Sequence, residues 1–165
     1  MLIVSPLARV SPLADLEDSV RGSKIVIEDG VVIDAFVKIK PAGGNGDVRI
    51  GRHSVINSGC VLYTGNGIDI GEHVAVAANC TFAATNHAFD DPNCLIMEQG
   101  FQPSRGGIRV EDDVWIGANV VLLDGAIIRR GCVIAAGSVV GPSDLPSYSI
   151  CRGTPARPFR RRGEA

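Results

Sequence analysis

The sequence predicts an all-β chain wound as a parallel β-helix of hexapeptides, and three observations predict it. The first is a register. From Val110 the chain reads Val110-Glu-Asp-Asp-Val-Trp, Ile116-Gly-Ala-Asn-Val-Val, Leu122-Leu-Asp-Gly-Ala-Ile, Ile128-Arg-Arg-Gly-Cys-Val and Ile134-Ala-Ala-Gly-Ser-Val, and Val140 continues it. Each first position is aliphatic and each fifth is small or β-branched. Recurrence at three and four residues would mark a helix, and alternation at two a plain strand. A period of six is neither, and marks a hexapeptide β-helix. The second observation is composition: 45% hydrophobic residues but only 5% aromatic, the mix for a narrow interior of Val, Ile and Ala. The third is 20 glycines, which suit repeated tight corners. Each six makes a strand and a turn, and three make a triangular coil. One coil cannot bury its apolar face, so coils must stack.

Taken in order, residues 1–22 carry Ser5-Pro6 and Ser11-Pro12, pairs that disfavour helix. Leu13 to Val20 reads as a short helix or a lead-in strand, and residues 1–24 as a cap on the first coil. The β-helix is expected over 25–141. Ile27, Ile33 and Ile39 open the sixes, and Pro41-Ala-Gly-Gly-Asn-Gly interrupts them as a loop. They resume at Ile50, Ile56 and Leu62, slip by two residues, and restart at Ile70, Val76 and Phe82. Between His87 and Val110 the period is lost, giving a protruding loop over 88–108; a long irregular loop in a compact domain is usually functional. Gly141-Pro-Ser-Asp-Leu-Pro ends the helix, and a basic tail over 142–165 folds back on a neighbouring coil. The hexads make about four coils. So short a stack leaves flat faces exposed, and threefold closure suits a triangular prism, so a homotrimer is expected.

Length fits one domain. A net charge of −2 gives no electrostatic case for nucleic acid or a membrane surface. There is no apolar run long enough for a membrane span, and the start lacks the basic region of a secretory signal. Cys60, Cys80, Cys94, Cys132 and Cys151 are scattered, an odd number without metal spacing. They read as reduced thiols in a cytoplasmic protein, with Cys80 and Cys132 as small core residues.

Several strings resemble one family. They are the sixes, Asn86-His87-Ala-Phe-Asp-Asp-Pro, Glu98-Gln-Gly-Phe, Val114-Trp-Ile-Gly-Ala-Asn-Val, Ala136-Gly-Ser-Val-Val and Gly153-Thr-Pro-Ala-Arg. Together they are similar to the hexapeptide-repeat acyltransferases, most of all the sugar O-acetyltransferases of surface-polysaccharide pathways (galactoside, maltose and colanic-acid type). The resemblance covers about residues 50 to 160. It implies a left-handed parallel β-helix, a trimer, and an active site between subunits with acetyl-CoA in the groove between prisms. It implies His87 as catalytic base, and Asn57 and Asn86 in acceptor binding. It implies Trp115 along the pantetheine channel, the Ala118 N–H near the thioester carbonyl, and Ala136 as a backbone contact to the pantetheine arm. Arg157 and Arg160 correspond to basic tail residues near the adenosine phosphates. Many relatives carry Thr-Lys just after the last coil; here Gly141-Pro142-Ser143 stands there, one residue longer.

The chemistry agrees with that implication. A sugar hydroxyl attacking a thioester must lose a proton, and histidine is suited to take it near pH 7. The tetrahedral oxyanion needs a fixed donor, which a backbone N–H at a rigid corner supplies. Asp90, Asp91, Glu98 or a backbone carbonyl orients the imidazole, and Phe89 and Phe101 anchor the loop or wall the acceptor pocket. The expected function is acetyl-CoA-dependent O-acetylation of a free, nucleotide-linked or lipid-linked sugar, with N-acetylation of a nucleotide-linked amino sugar or an antibiotic as the alternative. A zinc enzyme like the γ-class carbonic anhydrases needs three histidines, two close in sequence. His53, His73 and His87 are widely spaced, so no metal is expected.

Overall fold

The computed structural model describes residues 1–164 and is a three-faced prism of stacked coils. The first coil is β1 (Leu2–Val4), β2 (Arg9–Val10) and β3 (Asp15–Leu16), and the second is β4 (Ile25–Ile27), β5 (Val32–Ile33) and β6 (Lys38–Lys40). The third is β7 (Val48–Ile50), β8 (Val55–Ile56) and β9 (Val61–Tyr63), and the fourth is β10 (Ile68–Ile70), β11 (Ala75–Val76) and β12 (Thr81–Ala83). Beyond the protruding loop, the fifth is β13 (Ile108–Val110), β14 (Trp115–Ile116) and β15 (Val121–Leu123). The sixth is β16 (Ile127–Ile128), β17 (Val133–Ile134) and β18 (Val139–Val140). β19 (Asp144–Leu145) and β20 (Ser149–Gly153) begin a seventh, and β21 (Ala156–Arg161) turns back antiparallel on β20.

The first strands of all coils form face A, the second strands face B and the third strands face C, with every pair parallel except β20–β21. The stack is longer than about four coils. Residues 1–24, expected as a cap, form the first coil, because Val4, Val10 and Leu16 already keep the spacing of six. At the other end the prism continues past residue 141, since β19 pairs with β16 and β20 with β17. The tail does fold back, as β21, and Arg162 reaches Asp113 at 2.8 Å.

First-position residues point inward, and from Ile27 to Val140 they are buried: Ile27, Ile33, Ile39, Ile50, Ile56, Leu62, Ile70, Val76, Phe82, Val110, Ile116, Leu122, Ile128, Ile134 and Val140. Fifth positions fill the corners, as Cys60, Cys80, Cys132 and Ser54 do. The Ser54 hydroxyl is satisfied there, donating to the Gly71 carbonyl at 2.8 Å and accepting from the Val74 N–H at 3.0 Å. All five cysteines are free thiols.

The faces differ in what they show outward. On face A, Arg49 bridges Glu28 and Asp69, each at 2.8 Å, and Arg129 bridges Glu111 at 2.9 Å and Asp144 at 2.7 Å. On face B the register aligns Val32, Val55, Ala75, Trp115, Val133 and Ile150 into an apolar ladder. Among the described residues no helix is long and apolar enough to cross a membrane.

Candidate active site

The chain leaves the prism after β12 and returns at β13, yet β10 pairs with β13 and β12 with β15 as if nothing intervened. The insert must therefore leave and re-enter at the same corner, between faces C and A. His87 stands on the outgoing leg. It forms an antiparallel bridge with Phe101 on the incoming leg. The flanking hydrogen bonds run from the Gln102 N–H to the Asn86 carbonyl at 2.8 Å and from the Ala88 N–H to the Gly100 carbonyl at 3.1 Å. The His87 ring lies 4.9 Å from the Phe101 ring, tilted by 36°. Phe101 is thus an anchor of the loop. None of Asp90, Asp91, Glu98 or a carbonyl bonds the imidazole among the described residues; the Asp91 carboxylate instead accepts from the Asn93 N–H at 2.9 Å. Packing against Phe101 orients the ring here.

The loop beyond is held by Gln99, whose amide donates to the Asp91 and Cys94 carbonyls, both at 2.9 Å. A single 3₁₀ turn, Ile96–Glu98, forms its tip. Leu95, Ile96 and Met97 on that tip are exposed, Met97 at 88%. Asn86 shares a cavity of about 90 Å³ with Thr85, Gln102, Arg105, Leu123 and Asp124.

The remaining candidates gather on face B and at the corner between faces B and C. Trp115 is 56% exposed and lines a groove of about 280 Å³ with His73, Ala75, Asp113, Val133 and Arg162. Three residues on, Ala118 turns the corner, and Ala136 holds the equivalent place one coil further. They are joined by the Gly137 N–H donating to the Ala118 carbonyl at 2.9 Å. Among the described residues the N–H groups of Ala118 and Ala136 have no acceptor, so both remain available to a ligand. Asn57 sits at the same corner in the third coil. Its side-chain amide donates to the Val76 carbonyl at 2.7 Å. Arg157 donates to the Ala156 carbonyl and Arg160 to that of Glu164. It is Arg162 that reaches the tryptophan groove; the three consecutive arginines were its only mark in the sequence.

One chain therefore carries two separated clusters. His87 and Asn86 lie at one corner of the prism. Asn57, Trp115, Ala118 and Ala136 lie across face C, a side of about 15–20 Å for six extended residues. His53 and His73 stack on each other at the third corner, ring centroids 5.2 Å apart, away from His87. Among the described residues no three His, Cys, Asp or Glu side chains gather to hold a metal ion.

The family described as bacterial transferase hexapeptide (six repeats) matches residues 107–142. The chain is 36% identical over 117 residues to a probable acetyltransferase, Rv3034c, of Mycobacterium tuberculosis, covering 71% of this chain and 38% of that one. It is 32% identical over 144 residues to the mitochondrial γ-carbonic anhydrase 2 of Arabidopsis thaliana, covering 82% of this chain and 52% of that one. The chain thus spans between about a third and a half of these relatives. The solved hexapeptide-repeat acetyltransferase VCA0836 of Vibrio cholerae, complexed with acetyl coenzyme A, is 33% identical with a TM-score of 0.68, covering 81% of this chain and 69% of that one. With the three parallel faces of the prism, these likenesses agree with a left-handed β-helix, and the chain belongs to the hexapeptide-repeat acetyltransferase family.

Proposed function

We propose that the chain is an acetyl-CoA-dependent O-acetyltransferase of a sugar hydroxyl, working as a cytoplasmic homotrimer in surface-polysaccharide assembly. The observation that carries the reading is the division of the site. His87 lies at one corner, and the unbonded N–H groups of Ala118 and Ala136, three residues on from Trp115 and its counterpart in the next coil, lie at another. Two copies side by side put the His87 corner of one against the tryptophan groove of the next, and threefold closure repeats this three times. The apolar ladder of face B and the exposed Leu95, Ile96 and Met97 are the surfaces such packing would cover.

In the composite site the pantetheine arm of acetyl-CoA lies along the corner column, past Trp115, with Ala118 and Ala136 donating backbone hydrogen bonds. Arg162 lines the groove, and with Arg157 and Arg160 of the same tail it would meet the nucleotide phosphates. Asn57 and Asn86 bind acceptor hydroxyls. His87 takes the proton of the attacking hydroxyl as its oxygen adds to the thioester carbon. The Ala118 N–H faces the oxyanion, and collapse of the tetrahedral intermediate expels the CoA thiolate, which takes up the proton. The acetyl group passes directly to the acceptor. The acceptor is a free, nucleotide-linked or lipid-linked sugar.

The likeness to VCA0836, solved with acetyl coenzyme A, supports the co-substrate. The likeness to a γ-carbonic anhydrase favours a hydratase as the second reading. It requires a metal ion, which elemental analysis of the purified protein detects directly. The deciding experiment is CoA release from acetyl-CoA across sugars, nucleotide sugars and amino sugars, for wild type and His87→Ala. Hydroxyl-dependent turnover falling about 10²–10⁴-fold in the variant supports the base. Turnover with amines alone, little changed in the variant, would replace it by N-acetylation.

A further inference from the structure

We propose that Asp124 is the positioning residue of the His87 loop, a latch that fixes where the loop re-enters the prism. The inference rests on His87 as the base. Asp124 is a hexad residue of the fifth coil, and only 7% of it is exposed. Among the described residues it pairs with no cation. Its carboxylate is filled by three N–H donors instead. Oδ2 accepts from the Arg105 backbone at 2.8 Å and from the Asn66 side chain at 3.0 Å, and Oδ1 accepts from the Gly107 backbone at 2.8 Å. The next residue returns the contact, its Gly125 N–H donating to the Gly107 carbonyl at 2.6 Å.

These bonds join three levels of the stack: Asn66 on the third-to-fourth corner, Arg105 and Gly107 on the incoming leg, and Asp124 on the fifth-to-sixth corner. The approach is tight enough to require glycine. Gly107 has φ +78°, and a Cβ there would lie 2.5 Å from the Gly67 carbonyl oxygen. Gly125 has φ +87°, and a Cβ there would lie 2.9 Å from Arg105.

The latch lies close to the base. From Arg105 the incoming leg runs back through Ser104 and Pro103, whose ring fixes φ, to Gln102 and Phe101. Gln102 is hydrogen-bonded to Asn86, and Phe101 packs on the His87 ring. Asp124 also forms the floor of the cavity beside Asn86. Moving the latch therefore moves the strand against which His87 is set. It leaves the tryptophan groove, on another face, untouched.

The test is Asp124→Asn in the full chain. An amide keeps one acceptor oxygen and turns an NH₂ group toward N–H donors already in place, so at least one buried donor loses its partner. Displacing a catalytic group by about 1 Å can cost on the order of 10²-fold. The expected result is kcat lowered about 10- to 100-fold with KM for acetyl-CoA within about twofold of wild type. Deuterium uptake over 85–88 and 100–107 should rise, with uptake over the prism strands unchanged. Asn66→Ala removes a single donor and should move the same readouts less, which keeps the test decisive if Asp124→Asn fails to fold. Unchanged uptake over 100–107, or a rise in KM and in exchange throughout the prism, would overturn the latch. If wild type transfers acetyl to no acceptor, the functional reading fails by itself, while the exchange comparison still decides the latch.

Discussion

Among single residues, the cysteines show how strongly the prism interior dictates chemistry. Four of the five are buried between coils. Burial pushes the Cys151 thiol up to about 11, with Cys132 beside it adding to the shift, and burial likewise raises Cys132. A thiol held neutral is a poor nucleophile. Only Cys94, on the protruding loop, is partly open. Native protein treated with an aromatic disulfide should release about one equivalent of thiol quickly, and Cys94→Ser should abolish that fast phase. Fast release of two or more equivalents would mean that the coils open. Glu111 gives a pH-dependent case. The Arg130 backbone N–H, then the Arg129 guanidinium, hold its carboxyl below the usual range. A depressed folded pKa gives stability that is complete above the unfolded value of about 4.3 and is lost as pH falls below it. Glu111→Gln should therefore cost under about 1 kcal/mol at pH 7, as expected of a partly exposed pair. In urea denaturation the gap between variant and wild type should narrow as pH falls below the unfolded value and close once pH is below the depressed folded value. A gap that persists there would assign the effect to packing. Cys80 and Cys132 were legible in the sequence because the fifth position of a six must be small, whereas Cys151 occupies a first position in the seventh coil, beyond the expected end of the prism. Asp124 was not legible, because nothing in its own hexad reveals that three donors from other levels converge on it.

At the scale of elements, the coil was legible and its extent was not. Five sixes in unbroken register specify inward and outward residues without reference to anything distant. At the N-terminus the same spacing of Val4, Val10 and Leu16 is hidden by Ser-Pro pairs, and these residues are less buried than the first positions of later coils. At the C-terminus Pro142 and Pro146 looked like terminators. In the prism they occupy corners between strands, where no ladder hydrogen bond is lost. The corners also explain the isolated histidines. The fourth position of a six adopts left-handed backbone, with φ of 58° at His53 and 55° at His73. Neither their stacking nor the bridge of His87 to Phe101 follows from spacing, because both depend on which coils become neighbours.

For the whole molecule, the legible fold leaves the site in two halves. Sequence resemblance names His87, Trp115 and Ala118 together, whereas the prism separates them by a full side. On the proposed reading, assembly is a condition of activity. Sedimentation should give about 52 kDa, three chains of 17.3 kDa. Replacing Leu95 and Met97 together by Asp, on the exposed loop tip, should shift the mass toward monomer and lower turnover in parallel. A variant that remains trimeric and fully active would remove the loop tip from the interface.

The bridging of the coils beneath the insert has a consequence for how such proteins diverge. The coils on either side of residues 84–107 stack directly, so the ladder of strands runs on across the insert whatever the length of its outer part. Selection can exchange this one excursion, like a cartridge, while the spool that carries it keeps its gauge. Two chains can then be superposable along nearly every coil and still differ in what they do, and a chain can fall silent without losing its shape.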